Sequence, residues 1–347
     1  MQMKHLFLDD YSEGAHPRIL KALEETNWSQ EPGYGDDGFC RQAAEMIKAK
    51  IENPSASVHF VSGGTQANII VLASLLKPYE SVIAPQTAHI AIHEAGAIEL
   101  TGHKVNVVAS KNGKITPEQV TAICDEHTGG HTVLPKAVFV SNSTEMGTIY
   151  KKSELEGLAE ICQQKHLFLY LDGARLGSAL TSIESDLSLA DLSRLVDVFY
   201  IGATKNGALL GEAVVITRPE LQPDFRYHIK QRGGLLAKGR LLGIQFVELF
   251  RDNLYFNLAR HANEMACRLV QGITALGYSF LTPSTTNQIF PILPESTITK
   301  LQQIYGFYVW EKMDREDTAI RLVTSWATKD EAVDAFLNDL RTFRGAA

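Results

Sequence analysis

Apolar residues fall in short unbroken runs through the first two-thirds of the chain. Val58–Val61, Ser81–Ala84, Val105–Val108, Ala137–Ser141, Phe168–Leu171, Val196–Ile201 and Ala213–Ile216 are rich in Val, Ile, Phe and Leu, without strict in–out alternation. Strands covered on both faces have this character, so the runs predict a buried, mostly parallel seven-stranded sheet. Helical patterns lie between several of them. Thr116–His127 opens with Thr116 as N-cap and Pro117 at the first helical position. Ser153–Lys165 opens with Ser153 and has Glu156 three residues on, a capping-box spacing. Alternating strands and helices of this kind predict an α/β fold with helices on both faces of the sheet.

The pattern changes in the last third. Two long helical segments, about Gly239–Phe250 and Tyr255–Leu276, precede short strands near Gln288–Leu293, Phe307–Glu311 and Ala319–Thr324. An amphipathic helix over Lys329–Arg344 follows. This predicts a smaller C-terminal α+β domain, with residues 1–240 forming the large domain and 241–347 the small one.

Composition narrows the function classes. The 347 residues are 45% hydrophobic and 21% charged, with net charge −7 and scattered basic residues, so no footprint for nucleic acid is present. The opening MQMKHLFLDD meets acids at once and shows no small-residue cleavage site. No apolar run approaches the ~18 residues of a membrane span. Cys40, Cys124, Cys162 and Cys267 lie far apart without CxxC spacing and read as small core residues in a reducing compartment. A cytoplasmic protein is the expectation.

Three segments could carry chemistry. Val61–Ile69, VSGGTQANI, is a strand end followed by glycines and an apolar helix. Glycine lets backbone N–H groups approach an anion, and the helix N-terminus adds a positive dipole end. A phosphate fits such a place, although SGGT alone also describes a plain turn. The Walker lysine and GxGxxG are missing, which disfavours nucleotides. LYLDGARLG, Leu169–Gly177, delivers Asp172 to the C-terminal edge of a strand, where ligands bind in α/β sheets. Arg175, three residues on, is the partner that a merely structural ion pair would use. In DVFYIGATKNGALLGEAVVI, Asp197–Ile216, Lys205 sits in a small-residue turn between two buried runs. A desolvated lysine becomes a nucleophilic amine suited to Schiff bases, while a lone loop lysine is the plainer reading.

Taken together, the segments resemble the fold-type-I pyridoxal-phosphate enzymes, and within them the threonine aldolase/β-eliminating lyase family. YGDD at Tyr34–Asp37, SGGTQAN at Ser62–Asn68, HIAIHEAGA at His89–Ala97, LDGAR at Leu171–Arg175, TK at Thr204–Lys205 and IRLVTSW at Ile320–Trp326 follow the family's order over nearly the whole chain. The resemblance implies pyridoxal 5'-phosphate held on Lys205 as a Schiff base, with Asp172 on the pyridine nitrogen. It implies Gly64 and Thr65 on the phosphate with the Thr204 hydroxyl as helper, and His89 stacked on the ring. Arg175 would serve the cofactor's phenolic oxygen or the substrate carboxylate, and Arg321 that carboxylate as a bidentate fork. It also implies a homodimer or homotetramer with shared sites. Lys230, Arg232 and Lys238, in the loop KQRGGLLAKG, are candidates for reaching a neighbouring subunit.

One departure bears on the reaction. Where threonine aldolases carry a histidine, this chain has Ser143-Thr144-Glu145-Met146-Gly147. Retro-aldol cleavage needs a base for the β-hydroxyl proton, and Glu145 can serve if burial raises its pKa. Cleavage of a β-hydroxy-α-amino acid to glycine and an aldehyde is therefore the expected reaction. β-Elimination from a β-substituted amino acid, aromatic ones included, is the alternative. Two rivals stand further off. His89, His93 and Glu94 could supply ligands to a metal-dependent hydrolase, but HExxH and a third ligand are missing, so no metal site is expected. A binding protein on the same fold would have no use for both Lys205 and Asp172.

Overall fold

The computed structural model describes residues 3–344; Met1 and Gln2 of the N-terminal reading lie outside that range. Seven strands form the central sheet: β1 (Ser57–Val61), β2 (Glu80–Pro85), β3 (Val105–Val108), β4 (Leu134–Ser141), β5 (Phe168–Asp172), β6 (Val198–Gly202) and β7 (Glu212–Ile216). Their order is β1-β7-β6-β5-β4-β2-β3. Neighbours are parallel from β6 to β3, and β7 alone is antiparallel to both strands beside it. The reason is connection length. Only residues 203–211 join β6 to β7, too few for the crossover that a parallel partner needs.

The apolar runs lack alternation because both faces are covered. Val138, Val140, Leu169, Leu171, Phe199 and Ile201 point into one core. The residues between them, Ala137, Phe139, Tyr170, Val198 and Tyr200, point into another on the opposite face. This is the two-sided burial expected of a parallel sheet.

Helix boundaries follow capping chemistry. Pro117–Glu126 begins as expected: Thr116 Oγ1 accepts from Gln119 N–H, and Gln119 Oε1 accepts from Thr116 N–H. The next helix corrects the expected start. It spans Lys152–Lys165 with Lys151 at the N-cap, so Ser153 lies inside it. Carboxylates decide the point: Glu154 accepts the Lys151 N–H at 2.7 Å and Asp186 accepts the Lys152 N–H at 2.8 Å.

The small domain has its own core. Met265, Leu269 and Ile273 pack there with Ile320, Leu322 and Phe336. Strand Asp317–Val323 pairs antiparallel with Tyr308–Lys312, Ile292–Pro294 and Gln288–Ile289, and helix Asp330–Arg344 covers it. Residues after 240 also reach the core of the large sheet. Phe246, Leu249, Phe250, Tyr255 and Leu258 belong to a large-domain core, so helix Leu254–Ala275 starts in one domain and ends in the other. The N-terminus also crosses over. His5–Leu6 pairs parallel with Tyr305–Gly306, and Phe7 is buried among Tyr305 and Phe336. Residues 5–7 therefore sit in the small domain, and Asp9 and Asp10 follow at the junction.

The four cysteines are free. Cys267 is exposed rather than a core residue, because it lies on the outer side of the long helix. Among the described residues, no helix is long and apolar enough to cross a membrane.

Candidate active site

Register brings the predicted residues together. Ser141, the last residue of β4, lies opposite Asp172, the last of β5. The turn after β4 therefore delivers Glu145 to the edge that carries Asp172. β6 ends beside them at Gly202, three residues before Lys205. The turn after β5 is tight: a Cβ at Gly173 would stand 1.7 Å from the Tyr200 carbonyl oxygen. Only glycine allows LDGAR to pass so close to β6.

Two adjoining cavities open at this edge. The inner one, about 310 Å³, is lined by Gly64, Thr65, Asp172, Tyr200, Thr204 and Glu212 among others. The outer one, about 450 Å³, is lined by Asp9, His93, Gln288, Tyr308, Trp310 and Arg321. Tyr11, His89, Glu145, Arg175 and Lys205 line both.

At the inner end, helix Gly64–Leu75 begins at Gly63, which has no side-chain cap. Its first N–H groups are left for an anion. A Cβ at Gly64 would come within 3.0 Å of the Tyr200 hydroxyl. Asp172 is buried and held by three donors: Tyr200 O–H at 2.5 Å, Ala174 N–H at 2.9 Å and Asn68 Nδ2 at 3.2 Å. Lys205 Nζ lies 5.8 Å from the centre of the Tyr11 ring. Burial, and then the Arg175 charge, push its amine below the usual lysine range, against the opposing pull of Asp10, Asp172 and Glu212.

Two expected partners differ. Arg175 does not pair with Asp172. It makes a two-point contact with Asp10, Nε to Oδ2 at 2.6 Å and Nη2 to Oδ1 at 3.0 Å, because the N-terminal segment crosses the edge. The Thr204 hydroxyl lines the cavity, but it donates to Glu212 Oε1 at 2.9 Å and accepts from Gly211 N–H at 3.0 Å.

Glu145 is half-buried. Its Oε1 accepts from Ser141 Oγ at 2.8 Å and from His89 N–H at 3.0 Å, while Oε2 is shielded from solvent and has no partner among the described residues. Burial, and then the charge of Asp172, raise its pKa above the ordinary carboxylate range. The His89 ring Nδ1 lies 2.9 Å from Glu94 Oε1. Arg321 stands between the rings of Tyr308 and Trp310, with centroids at 4.8 and 5.5 Å, and reaches Asp9 Oδ1 at 3.3 Å. Its Nε is buried and free of partners among the described residues. Among those residues no group of three His, Cys, Asp or Glu side chains is placed to hold a metal ion.

Of the loop candidates, Lys230 and Lys238 are exposed. Lys230 lies over the Tyr34 ring at 4.7 Å. The Arg232 carbonyl accepts from Gln66 Nε2 at 3.3 Å, which ties the loop to the SGGT turn. None of the three lines either cavity of its own chain.

Sequence reading missed Asp10, Asn68, Tyr200 and Glu212, and met Glu94 only as a metal ligand. Asp10 is buried, which alone would raise its pKa. The charges of Arg175 and Lys205 and hydrogen bonds from Arg175 and Asn287 outweigh that and hold it low. Burial pushes Glu212 up to about 8. The signal for Glu212 was an acid at the head of an otherwise apolar run.

The beta-eliminating lyase family model matches residues 9–296. A low specificity L-threonine aldolase from Pseudomonas aeruginosa is 32% identical over 97% of each chain. Another, from Pseudomonas sp., is 31% identical over 99% of each. Among solved structures, threonine aldolase from Leishmania major is 46% identical with a TM-score of 0.97, over 99% of this chain and 100% of that one. An aspartate aminotransferase from Thermus thermophilus, 16% identical with a TM-score of 0.71 over 99% of this chain and 92% of its own, shares the fold alone. A seven-stranded sheet of this order, a lysine and an aspartate on one edge, and these full-length likenesses agree: the chain belongs to the threonine aldolase and β-eliminating lyase family of pyridoxal-phosphate-dependent lyases, on the type I fold.

Proposed function

We propose that the protein cleaves β-hydroxy-α-amino acids of the threonine class to glycine and an aldehyde. The observation that carries the reading is Glu145. A half-buried carboxylate with raised pKa, one oxygen of which has no partner among the described residues, lines the cavity shared by Lys205 and Arg175, as a base for the β-hydroxyl proton requires. The names of the full-length relatives point the same way.

The inner cavity fits pyridoxal phosphate. The uncapped first turn at Gly64 and Thr65 suits the phosphate, Asp172 the ring nitrogen, His89 the ring face and Lys205 the aldehyde carbon. Arg175 can reach the phenolic oxygen or the substrate carboxylate. When bound, the cofactor supplies an electron-withdrawing ring conjugated to the substrate nitrogen. The protein's own groups do the rest. Asp172, oriented by three donors, would face the ring nitrogen and hold a proton there. Arg321 offers Nε to the substrate carboxylate. Glu145 Oε2 takes the hydroxyl proton as the Cα–Cβ bond breaks, the hydroxyl carbon leaves as the aldehyde, and a proton returned to Cα gives glycine.

A panel of threonine, allo-threonine and β-substituted alanines tests the proposal. Acetaldehyde and glycine from the first two are expected. Pyruvate and ammonia from the substituted alanines, with no aldehyde from threonine, would establish β-elimination instead.

A further inference from the structure

HEAGA contains a second carboxylate beneath the cavity that the proposed reaction does not use. Helix His89–Ile92 is a single turn, and Ala95 and Gly96 both take left-handed backbone, φ 52° and 74°. That reversal folds Glu94 back under His89. The Glu94 side chain is fully buried. Its Oε1 accepts from Asn68 Nδ2 at 2.7 Å and lies 2.9 Å from His89 Nδ1.

Hydrogen-bond capacity fixes the protons. The Asn68 amide nitrogen faces two carboxylates, Glu94 at 2.7 Å and Asp172 at 3.2 Å, while its oxygen accepts from Tyr170 O–H at 2.8 Å. Only one orientation of the amide satisfies all three contacts. Glu94 Oε1 is thus an acceptor, and the ring nitrogen beside it must be the donor. A neutral imidazole has one N–H, so Nε2 carries the lone pair.

We infer that Glu94 is a positioning residue. Acting through His89, it holds the imidazole in the Nδ1–H form with Nε2 as a bare acceptor in the cavity, and Asn68 locks this carboxylate to Asp172. The His89 ring and the group that holds the cofactor's ring nitrogen then move as one unit. His89 also donates its backbone N–H to Glu145, so a displaced His89 disturbs the proposed base. A carboxylate that sets the tautomer and angle of a working histidine recurs in hydrolytic triads and metal sites. The contribution to turnover rests on the function proposed above; the tautomer does not.

The test is ¹⁵N NMR of the full-length chain labelled at histidine, with His89→Phe identifying the signal, beside steady-state kinetics of Glu94→Ala and Glu94→Gln. In wild type, the neutral form of His89 should show Nδ1 protonated and Nε2 bare. Glu94→Ala should release the ring to mixed tautomers and lower kcat by roughly 10–100-fold, the range for partners that orient a working histidine, with little change in KM. Glu94→Gln should keep the tautomer and restore most of kcat, since its carbonyl oxygen can replace Oε1 and its amide replaces Oε2, which has no partner among the described residues. A wild-type His89 protonated at Nε2 overturns the inference, and so does Glu94→Ala with unchanged tautomer and kcat. If Glu94→Ala fails to fold, the wild-type tautomer decides. A wild type that shows the Nδ1–H form but no aldehyde from threonine defeats the proposed reaction and leaves Glu94's role intact.

Discussion

At Glu145 two opposing needs meet. A base must be deprotonated to act, yet burial and the nearby Asp172 charge favour the protonated carboxyl. kcat should therefore fall as pH drops through the raised pKa of Glu145, above the ordinary carboxylate range. The stability sign is opposite: a raised carboxyl pKa favours folding below the unfolded value near ~4.5, and that contribution is lost as pH rises through the folded value. Glu145→Gln should lower kcat for threonine by roughly 10²–10⁴-fold and abolish the acidic limb in a pH–rate profile. A variant with wild-type cleavage would remove Glu145 from the chemistry. Asp172→Asn should lower kcat by about 10²-fold or more, the scale for loss of a preorganised electrostatic contact, with a smaller loss of cofactor affinity; unchanged kcat in steady-state assays would make Asp172 merely structural. Lys205, Asp172 and Glu145 were legible because each stands in a short motif beside a buried run. The partner of Arg175 was not, because Asp10 is 165 residues away in sequence and nothing local ties them.

Among the elements, strands were the most legible. All seven sheet strands coincide with apolar runs to within a few residues, because two-sided burial leaves so strong a pattern. Helix starts were less so: Lys151 replaces Ser153 as the cap because Glu154 and Asp186 compete for the free N–H groups. The N-terminal segment bridges the small core and the sheet edge. Phe7 anchors it in the small domain and Asp10 pins it to Arg175 and Asn287. Breaking a buried ion pair leaves an uncompensated charge, which costs about 3–5 kcal/mol. Asp10→Ala should lower stability in urea titration by about that amount and raise KM through a mobile Arg175. A loss below ~1 kcal/mol, the size of a surface pair, would show that this segment does not bear on the fold.

For the whole molecule, the periodicity of Arg240–Phe250 and Leu254–Ala275 shows that they are helices, not which core they join: Phe246, Phe250 and Tyr255 pack under the large sheet, and Leu269 and Ile273 in the small core. The face carrying the KQRGGLLAKG loop leaves Tyr34 and Tyr227 exposed, with Leu235 beside them. This patch adjoins the SGGT turn through Gln66 and the Arg232 carbonyl. We expect a dimer or higher oligomer that covers it and brings a cation from this loop to the partner's cavity. Sedimentation should find no active monomer at assay concentration, and a fully active monomer would refute the shared site. Lys205 is the residue on which the proposed chemistry turns. Borohydride reduction of the enzyme as purified, followed by peptide mass mapping, should give a single pyridoxyl adduct on the peptide containing Lys205, lost in Lys205→Ala; an adduct on another lysine, or none on a yellow, active protein, would overturn the assignment.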